Sequence, residues 1–253
     1  MFPFREKNCA LVVAHPGHEL RLFGWLTSAR PIVFVLTDGS GHSGESRLHR
    51  TTEILNHAGA RTGSIYGRVT DGEVYQAILQ LKADFFLQMT MELASALVAE
   101  KITLVVGDAI EGYNPVHDVC RLMINGAVRI ARSKNYSIEN YDVVLTDRVA
   151  NLPAADDVTI NLDAQTLSLK IDTAGNYSAI AADFAAIVET EGLASLKTEY
   201  LRRVLDDSVG YEFVNRPSYE LHGEKQVAAG YYEQVLRYRE HMLPLAEALQ
   251  TLG

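Results

Sequence analysis

Two short runs in this chain carry side chains able to hold a metal ion: Ala14-His15-Pro16-Gly17-His18-Glu19 near its start, and Glu111-Gly112-Tyr113-Asn114-Pro115-Val116-His117 farther on. His15 and His18 stand three residues apart at a Pro-Gly turn, a spacing that lets two ring nitrogens approach one cation. His117 supplies a third. Three protein ligands with a fourth position open to water is the arrangement of a catalytic zinc, and imidazole suits zinc better than magnesium or calcium. A single histidine at a helix start is more often a cap or a surface residue; three on converging loops argue for ligation. One Zn2+ ion on His15, His18 and His117 is therefore the expected cofactor.

Convergence depends on the elements that carry these runs. Short β-branched stretches at Cys9 to Ala14, Ile32 to Thr37, Gly63 to Tyr66, Ile102 to Gly107 and Asp142 to Thr146 alternate with longer helical patterns, as in right-handed βαβ units around a parallel sheet. The helical patterns cover roughly Leu20 to Ser28, Leu48 to Ala58 with Gly59 as its cap, Val74 to Ala99 as two helices, and His117 to Arg132. In a doubly wound sheet of order 3-2-1-4-5, strands one and four flank the point where strand order reverses, and ligands bind above their carboxyl ends. Both histidine runs follow those ends.

Beyond residue 150 the pattern predicts a hairpin from Val158 to Leu162 and Leu167 to Ile171 at the sheet edge. Helices are expected over Ala179 to Glu191, Leu193 to Leu205 and Val227 to Leu252, with an irregular stretch from Ser208 to Glu224. The expected fold is a Rossmann-like three-layer α/β/α architecture with a mostly parallel sheet. It forms one domain, residues 1–150 being its core and 151–253 a hairpin and helical extension.

Composition narrows the partners. The chain has 253 residues, 47% hydrophobic and 22% charged, with a formal net charge of −9. That balance supports a sizeable core and gives no broad basic surface for nucleic acid or anionic lipid. No stretch is long and apolar enough to span a membrane, the first residues place charges where a signal peptide needs its apolar centre, and two isolated cysteines make no disulfide framework. A cytoplasmic location is expected, with a homo-oligomer open.

The ordered motifs resemble those of the PIG-L/LmbE-like zinc-dependent N-deacetylases. That family carries Ala-His-Pro-Asp-Asp-Glu after its first strand, Thr-x-Gly after the second, an Arg-x-x-Glu helix, and His-Pro-Asp-His after the fourth. The counterparts here are Ala14 to Glu19, Thr37-Asp38-Gly39, Arg50 to Glu53, and Asn114 to His117, so the resemblance spans about residues 8 to 150. It implies zinc on His15 and His117, with His18 in the place of the family's ligating Asp. The family's general base falls on Gly17, and the histidine that steadies its tetrahedral intermediate falls on Asn114. A site with three imidazoles carries one negative charge fewer than one with two imidazoles and a carboxylate, which lowers the pKa of bound water further. Asn114 keeps an amide donor for an oxyanion.

Expulsion of an amine needs a proton donor, for which the candidates are Asp38, Glu19, Glu111 and Asp118. Asp38, at the end of the second strand, is favoured over its alternative as a turn carboxylate before Gly39. Glu19 matches the motif glutamate, whose expected work is to orient a ligand imidazole. The Gly/Ser-rich loop 39–47 lacks a P-loop lysine and reads as a pocket rim. His42 within it reaches toward the metal or lies in solvent. Arg47 and Arg50 are candidates to pair with a substrate anion, the alternative for both being a helix-surface ion pair with Glu53. Tyr113 joins these substrate-binding candidates, and Tyr211, Arg216, Tyr219 and His222 form a lid or an oligomer contact. The expected activity is metal-dependent N-deacetylation of an N-acetylated sugar or sugar conjugate. The alternatives are hydrolysis of another amide or ester, or a catalytically altered ligand-binding homologue.

Overall fold

Strands β1 (Cys9–Val13, CALVV) and β2 (Ile32–Thr37, IVFVLT) are apolar at nearly every position and buried throughout, which suits parallel strands covered on both faces. The two faces are sorted by the period-2 alternation of a strand. Ala10 and Val12 of β1 and Ile32, Phe34 and Leu36 of β2 enter one apolar cluster, whereas Leu11, Val13, Val33 and Val35 enter the other. The structure, a computed structural model, describes residue 4 and residues 6–41, 43–145, 156–205, 211–213 and 215–253.

Further elements in chain order are α1 (Phe23–Ala29), α2 (Leu48–Ala58), β3 (Arg61–Val69), α3 (Asp71–Leu79), α4 (Ala83–Ala99), β4 (Leu104–Asp108), α5 (Pro115–Ser133) and β5 (Glu139–Val143). After them come β6 (Val158–Asn161), α6 (Ala164–Gly175), α7 (Ala181–Glu191), β7 (Thr198–Arg203), α8 (Ser218–Ala228) and α9 (Leu243–Gln250). The sheet order is β3-β2-β1-β4-β5-β7-β6, parallel from β3 to β5 and antiparallel at the β7 and β6 edge. Helices α3, α4, α5 and α9 cover one face and α1, α2 and α6 the other. This is the expected three-layer α/β/α fold with its 3-2-1-4-5 core order.

The carboxy-terminal part departs from the sequence reading. The strand expected at Leu167 to Ile171 is the middle of α6: the Asp163 side chain accepts from Thr166 N at 2.7 Å and starts a helix, and a five-residue alternation fits either period. The partner of β6 is instead β7, drawn from residues expected to continue a helix over Leu193 to Leu205. Its alternation, with Glu199 and Leu201 buried and Tyr200 exposed, is a strand pattern. Helix α8 occupies part of the stretch expected to be irregular, beginning just after Pro217. The long helix expected over Val227 to Leu252 breaks after Ala228 and resumes through a π-turn at Tyr238–Met242 into α9. Pro244 fits only at the start of that helix, because its ring and missing N–H are tolerated in a first turn. The fifth strand runs from Glu139; its expected end at Thr146 lies outside the described residues.

Candidate metal centre

β1 and β4 pair in parallel, with Val12 opposite Gly107, so the chain leaves both strands at the same end of the sheet. Ala14 N donates to Asp108 Oδ2 at 2.7 Å, joining the two strand ends directly. Past Ala14 the chain turns at Gly17 (φ +107°), a backbone conformation that L side chains rarely adopt, and enters a short 3-10 turn at His18–Leu22. The loop after β4 ends at Asn114, whose Oδ1 accepts from Val116 N at 2.9 Å and caps α5, with Pro115 in its first turn. His117 follows within that turn. The sheet register and this cap therefore bring three imidazoles together, with ring centroids 5.4 Å (His15 to His18), 5.0 Å (His15 to His117) and 4.6 Å (His18 to His117) apart.

Two of the rings are held by carboxylates. His18 Nδ1 lies 2.9 Å from Asp108 Oδ2, and His15 Nδ1 lies 2.8 Å from Asp71 Oδ1 and 2.9 Å from Thr37 Oγ1. A carboxylate accepting from Nδ1–H leaves the Nε2 lone pair available, the arrangement that orients metal-binding histidines. Burial pushes His117 well below the usual imidazole range and also lowers His15, against its bond to Asp71. Both rings are neutral and able to donate a lone pair. Burial works against Asp108 as well, but the charge and hydrogen bond of His18 hold it down at about 2. Asp71 is likewise held well below the carboxylate range by His15 in spite of burial.

The fit of this set to a cation rests on its chemistry and on one orphaned atom. His117 Nδ1 is buried without a hydrogen-bond partner, which is costly for a polar atom unless a ligand satisfies it. Among the described residues no group of three or more His, Cys, Asp or Glu side chains stands in an arrangement that could hold a metal ion as it is. The three rings touch one another edge to face, and binding requires them to turn about a shared point.

The structure distributes the other candidate residues unevenly. Asn114 Nδ2 lies 3.5 Å from His15 Nε2, inside the cluster. Glu19 is fully buried, accepts from Gly17 N and Thr51 Oγ1 (each 2.7 Å) and is raised by burial. It shapes the turn between the two histidines, and the work of orienting imidazoles falls to Asp108 and Asp71. Asp38 Oδ1 accepts from Ser40 N and Ser40 Oγ (3.0 and 2.7 Å), a turn closed on its own loop. Arg50 pairs with Glu53 at 2.9 Å on an exposed helix face, and Arg47 Nε donates to Gly39 O. Tyr113 is 59% exposed on the loop bearing Asn114, while His42 lies outside the described residues. Glu111 Oε2 accepts from Leu145 N. Burial lifts the Asp118 carboxyl to about 7, against hydrogen bonds from Glu111, Tyr211 and Gly112. Of the lid candidates, Tyr211 and Tyr219 pack against Asp118 and the 111–112 loop, Arg216 pairs with Glu220 and Glu224, and His222 lies against Tyr232.

Asp108 and Asp71 are the residues the sequence reading missed. The signal for Asp108 was a carboxylate closing an otherwise apolar strand; Asp71 stands inside the capping box Thr70 to Glu73 and looks like an ordinary first-turn acid. Gly17, where the resembled family has its base, has apolar neighbours at ordinary contact distance. A Cβ on Gly17 would meet Ile180 Cγ2 at 3.4 Å and the Tyr177 ring at 3.7 Å, so apolar side chains from the α6–α7 connection stand against that position. A separate cavity of about 380 Å³, lined by Phe23, Ile54, Leu169 and Tyr177 among others, has none of the three imidazoles in its wall.

No family model matches the chain, and no curated protein matches it. Solved structures do. The A40926 pseudoaglycone deacetylase Dbv21 aligns at 16% identity over 77% of this chain and 96% of its own, with a TM-score of 0.54. A triple mutant of the deacetylase of the teicoplanin biosynthetic pathway aligns at 14% identity over 79% and 99%, with a TM-score of 0.52. A zinc-inhibited form of teicoplanin deacetylase Orf2 aligns at 13% over 79% and 100%, with a TM-score of 0.50. The fold is shared with these deacetylases. At such identities the likeness is one of fold; it supports the motif resemblance at that level. Among the described residues no helix is long and apolar enough to cross a membrane.

Proposed function

We propose that this protein is a zinc-dependent hydrolase that removes the acetyl group from an N-acetylated sugar or sugar conjugate. The observation that carries the reading is the convergence of His15, His18 and His117 at the ends of β1 and β4, two of them backed by carboxylates, in a fold shared with antibiotic deacetylases. The chemistry a zinc ion supplies at such a site is Lewis acidity, which polarises an amide carbonyl and lowers the pKa of water.

The chain's own residues do the rest. Asp108 accepts from Nδ1 of His18, and Thr37 Oγ1, whose own O–H goes to Ala14 O, accepts from Nδ1 of His15 beside Asp71, so both rings favour the Nδ1–H tautomer. Asn114, held by its capping bond to Val116, has its amide nitrogen 3.5 Å from His15 Nε2; with a metal on that nitrogen the amide N–H would be free to donate to a developing oxyanion. Tyr113, exposed on the same loop, offers a ring face to a sugar.

A second reading keeps the metal site without deacetylation, as a hydrolase of another amide or ester or as a ligand-binding relative. The apolar packing of Ile180 and Tyr177 against Gly17, where the family has its base, favours it. Zinc content and acetate release from a panel of N-acetylated sugars, compared between wild type and His117→Ala, test the two readings. Zinc bound and acetate released by wild type alone supports deacetylation; zinc bound without acetate favours the second reading; negligible zinc in both refutes the metal site.

A further inference from the structure

We propose that Tyr211 is a positioning residue for the candidate metal centre, setting through Asp118 the loop that carries Asn114 and His117. The proposal deepens the metal-site reading above and rests on it.

The loop between β4 and α5 must end with Asn114 at the helix cap and His117 one turn inside. Its backbone is fixed by few contacts. Glu111 N and Gly112 N both donate to Asp118 Oδ1, at 3.0 and 3.3 Å, and Asp118 adjoins His117 in the first turn of α5. The other oxygen, Asp118 Oδ2, accepts from the Tyr211 hydroxyl at 2.8 Å in the protein interior. Tyr211 lies 93 positions away in sequence.

The same segment holds the loop at two more points. Tyr219 N donates to Gly112 O at 3.2 Å, and the Tyr219 hydroxyl lies 3.2 Å from that of Tyr211. Gly112 takes φ +64°, and a Cβ on it would stand 2.9 Å from the Phe213 ring and 3.2 Å from Pro217. The segment is itself braced, with the rings of Tyr211, Phe213 and Tyr238 in mutual edge contact at 5.1 to 5.4 Å and Tyr238 Oη donating to Tyr211 O.

Packing alone does not require this hydroxyl. Tyr211→Phe keeps the ring and its apolar contacts and removes the O–H that satisfies Asp118 Oδ2, together with its contact to the Tyr219 hydroxyl. A buried carboxylate deprived of one donor is costly where it stands. A shift of Asp118 toward another donor would release the amides of Glu111 and Gly112 and displace its neighbour His117.

The test compares wild type, Tyr211→Phe and Ile160→Ala, the last being a buried core truncation in the edge strand β6 and in the other apolar cluster. Amide hydrogen exchange of metal-free protein reads the loop, zinc affinity by chelator competition reads the site, and thermal melting reads global stability. Tyr211→Phe is expected to accelerate exchange over residues 111–117 and weaken zinc binding roughly 2- to 30-fold, the range for residues that act on a site through others. Ile160→Ala is expected to lower the melting temperature while leaving both local readouts at wild-type values. Wild-type exchange and affinity in Tyr211→Phe overturn the assignment of Tyr211 alone. A wild type that binds no zinc overturns the metal reading, and with it the role claimed for Tyr211, whatever the loop does.

Discussion

Asp108→Asn is the substitution that probes the site most directly. Asp108 is fully buried and accepts from two N–H donors, Ala14 N at 2.7 Å and His18 Nδ1 at 2.9 Å. Asparagine has nearly the same shape, but only one of its two terminal atoms accepts. Oδ2 takes both of these bonds, and Oδ1 also lies 3.0 Å from His18 Nδ1. An amide whose oxygen stands in the place of Oδ2 keeps both acceptors but loses the charge and sets its NH2 against Nδ1–H, which favours the ring proton on Nε2 and costs the lone pair needed for metal. An oxygen in the place of Oδ1 keeps His18 alone, and Ala14 N loses its partner in the core. Either outcome replaces a charged acceptor by a neutral one, a loss of about 1 kcal/mol, with more added where Ala14 N is left unpaired. Loss of a partner that orients a ligand typically weakens metal binding by roughly 10- to 100-fold.

Stability should change with it. The carboxyl sits at about 2, against 3.8 when free, a difference worth roughly 2 kcal/mol. Because the folded value is the lower one, this stabilisation is present above pH about 4 and is lost as pH falls through about 2. Metal-free wild type should therefore lose stability between those values by an amount that the variant lacks. Zinc competition and denaturant titration from pH 2 to 7 measure both effects. A folded Asp108→Asn protein with wild-type zinc affinity would refute the reasoning.

Three further substitutions discriminate among local arguments. Gly17→Asp, which restores the family's residue, should lower the melting temperature and release no more acetate than wild type. The backbone there has φ +107°, a strain of about 1–3 kcal/mol for a residue other than glycine, and its neighbours are apolar; a tenfold gain in rate would refute the expectation. Asp38→Asn should reduce kcat less than about tenfold, since Asn can keep the turn bonds from Ser40. A general acid would lose roughly 10²- to 10⁴-fold, and a loss of that size would return the role to Asp38. Lys170→Met should destabilise by about 3–5 kcal/mol in urea unfolding by leaving Glu199 without its buried cation at 2.8 Å. Adding Glu199→Gln should recover part of the loss, and additive losses would argue that the two residues act separately.

The first half of the fold was legible because its signals are local. The runs of β1 and β2 are apolar without interruption, Asn114-Pro115 marks a helix start, and Gly59 closes α2 with φ +71°. The second half was not, because distant partners decide it. Residues 198–203 became a strand where Glu199 can accept from Gly24 N and Trp25 N and pair with Lys170, and nothing within ten residues of Glu199 announces those contacts.

The same division runs through the site. Sequence by itself determined which residues stand at the strand ends, His15, His18, Asn114 and His117, because residue type and spacing from a strand are one-dimensional properties. Tertiary structure alone decided their surroundings. It set Asp108 and Asp71 against two imidazoles, turned Asp38 and Glu19 onto the backbone and hydroxyl groups of nearby turns and helices, and brought Ile180 and Tyr177 against the position of the family's base. These are contacts between elements far apart in the chain, made by sheet register and helix packing, and a carboxylate in a sequence carries no mark of which donor it will meet.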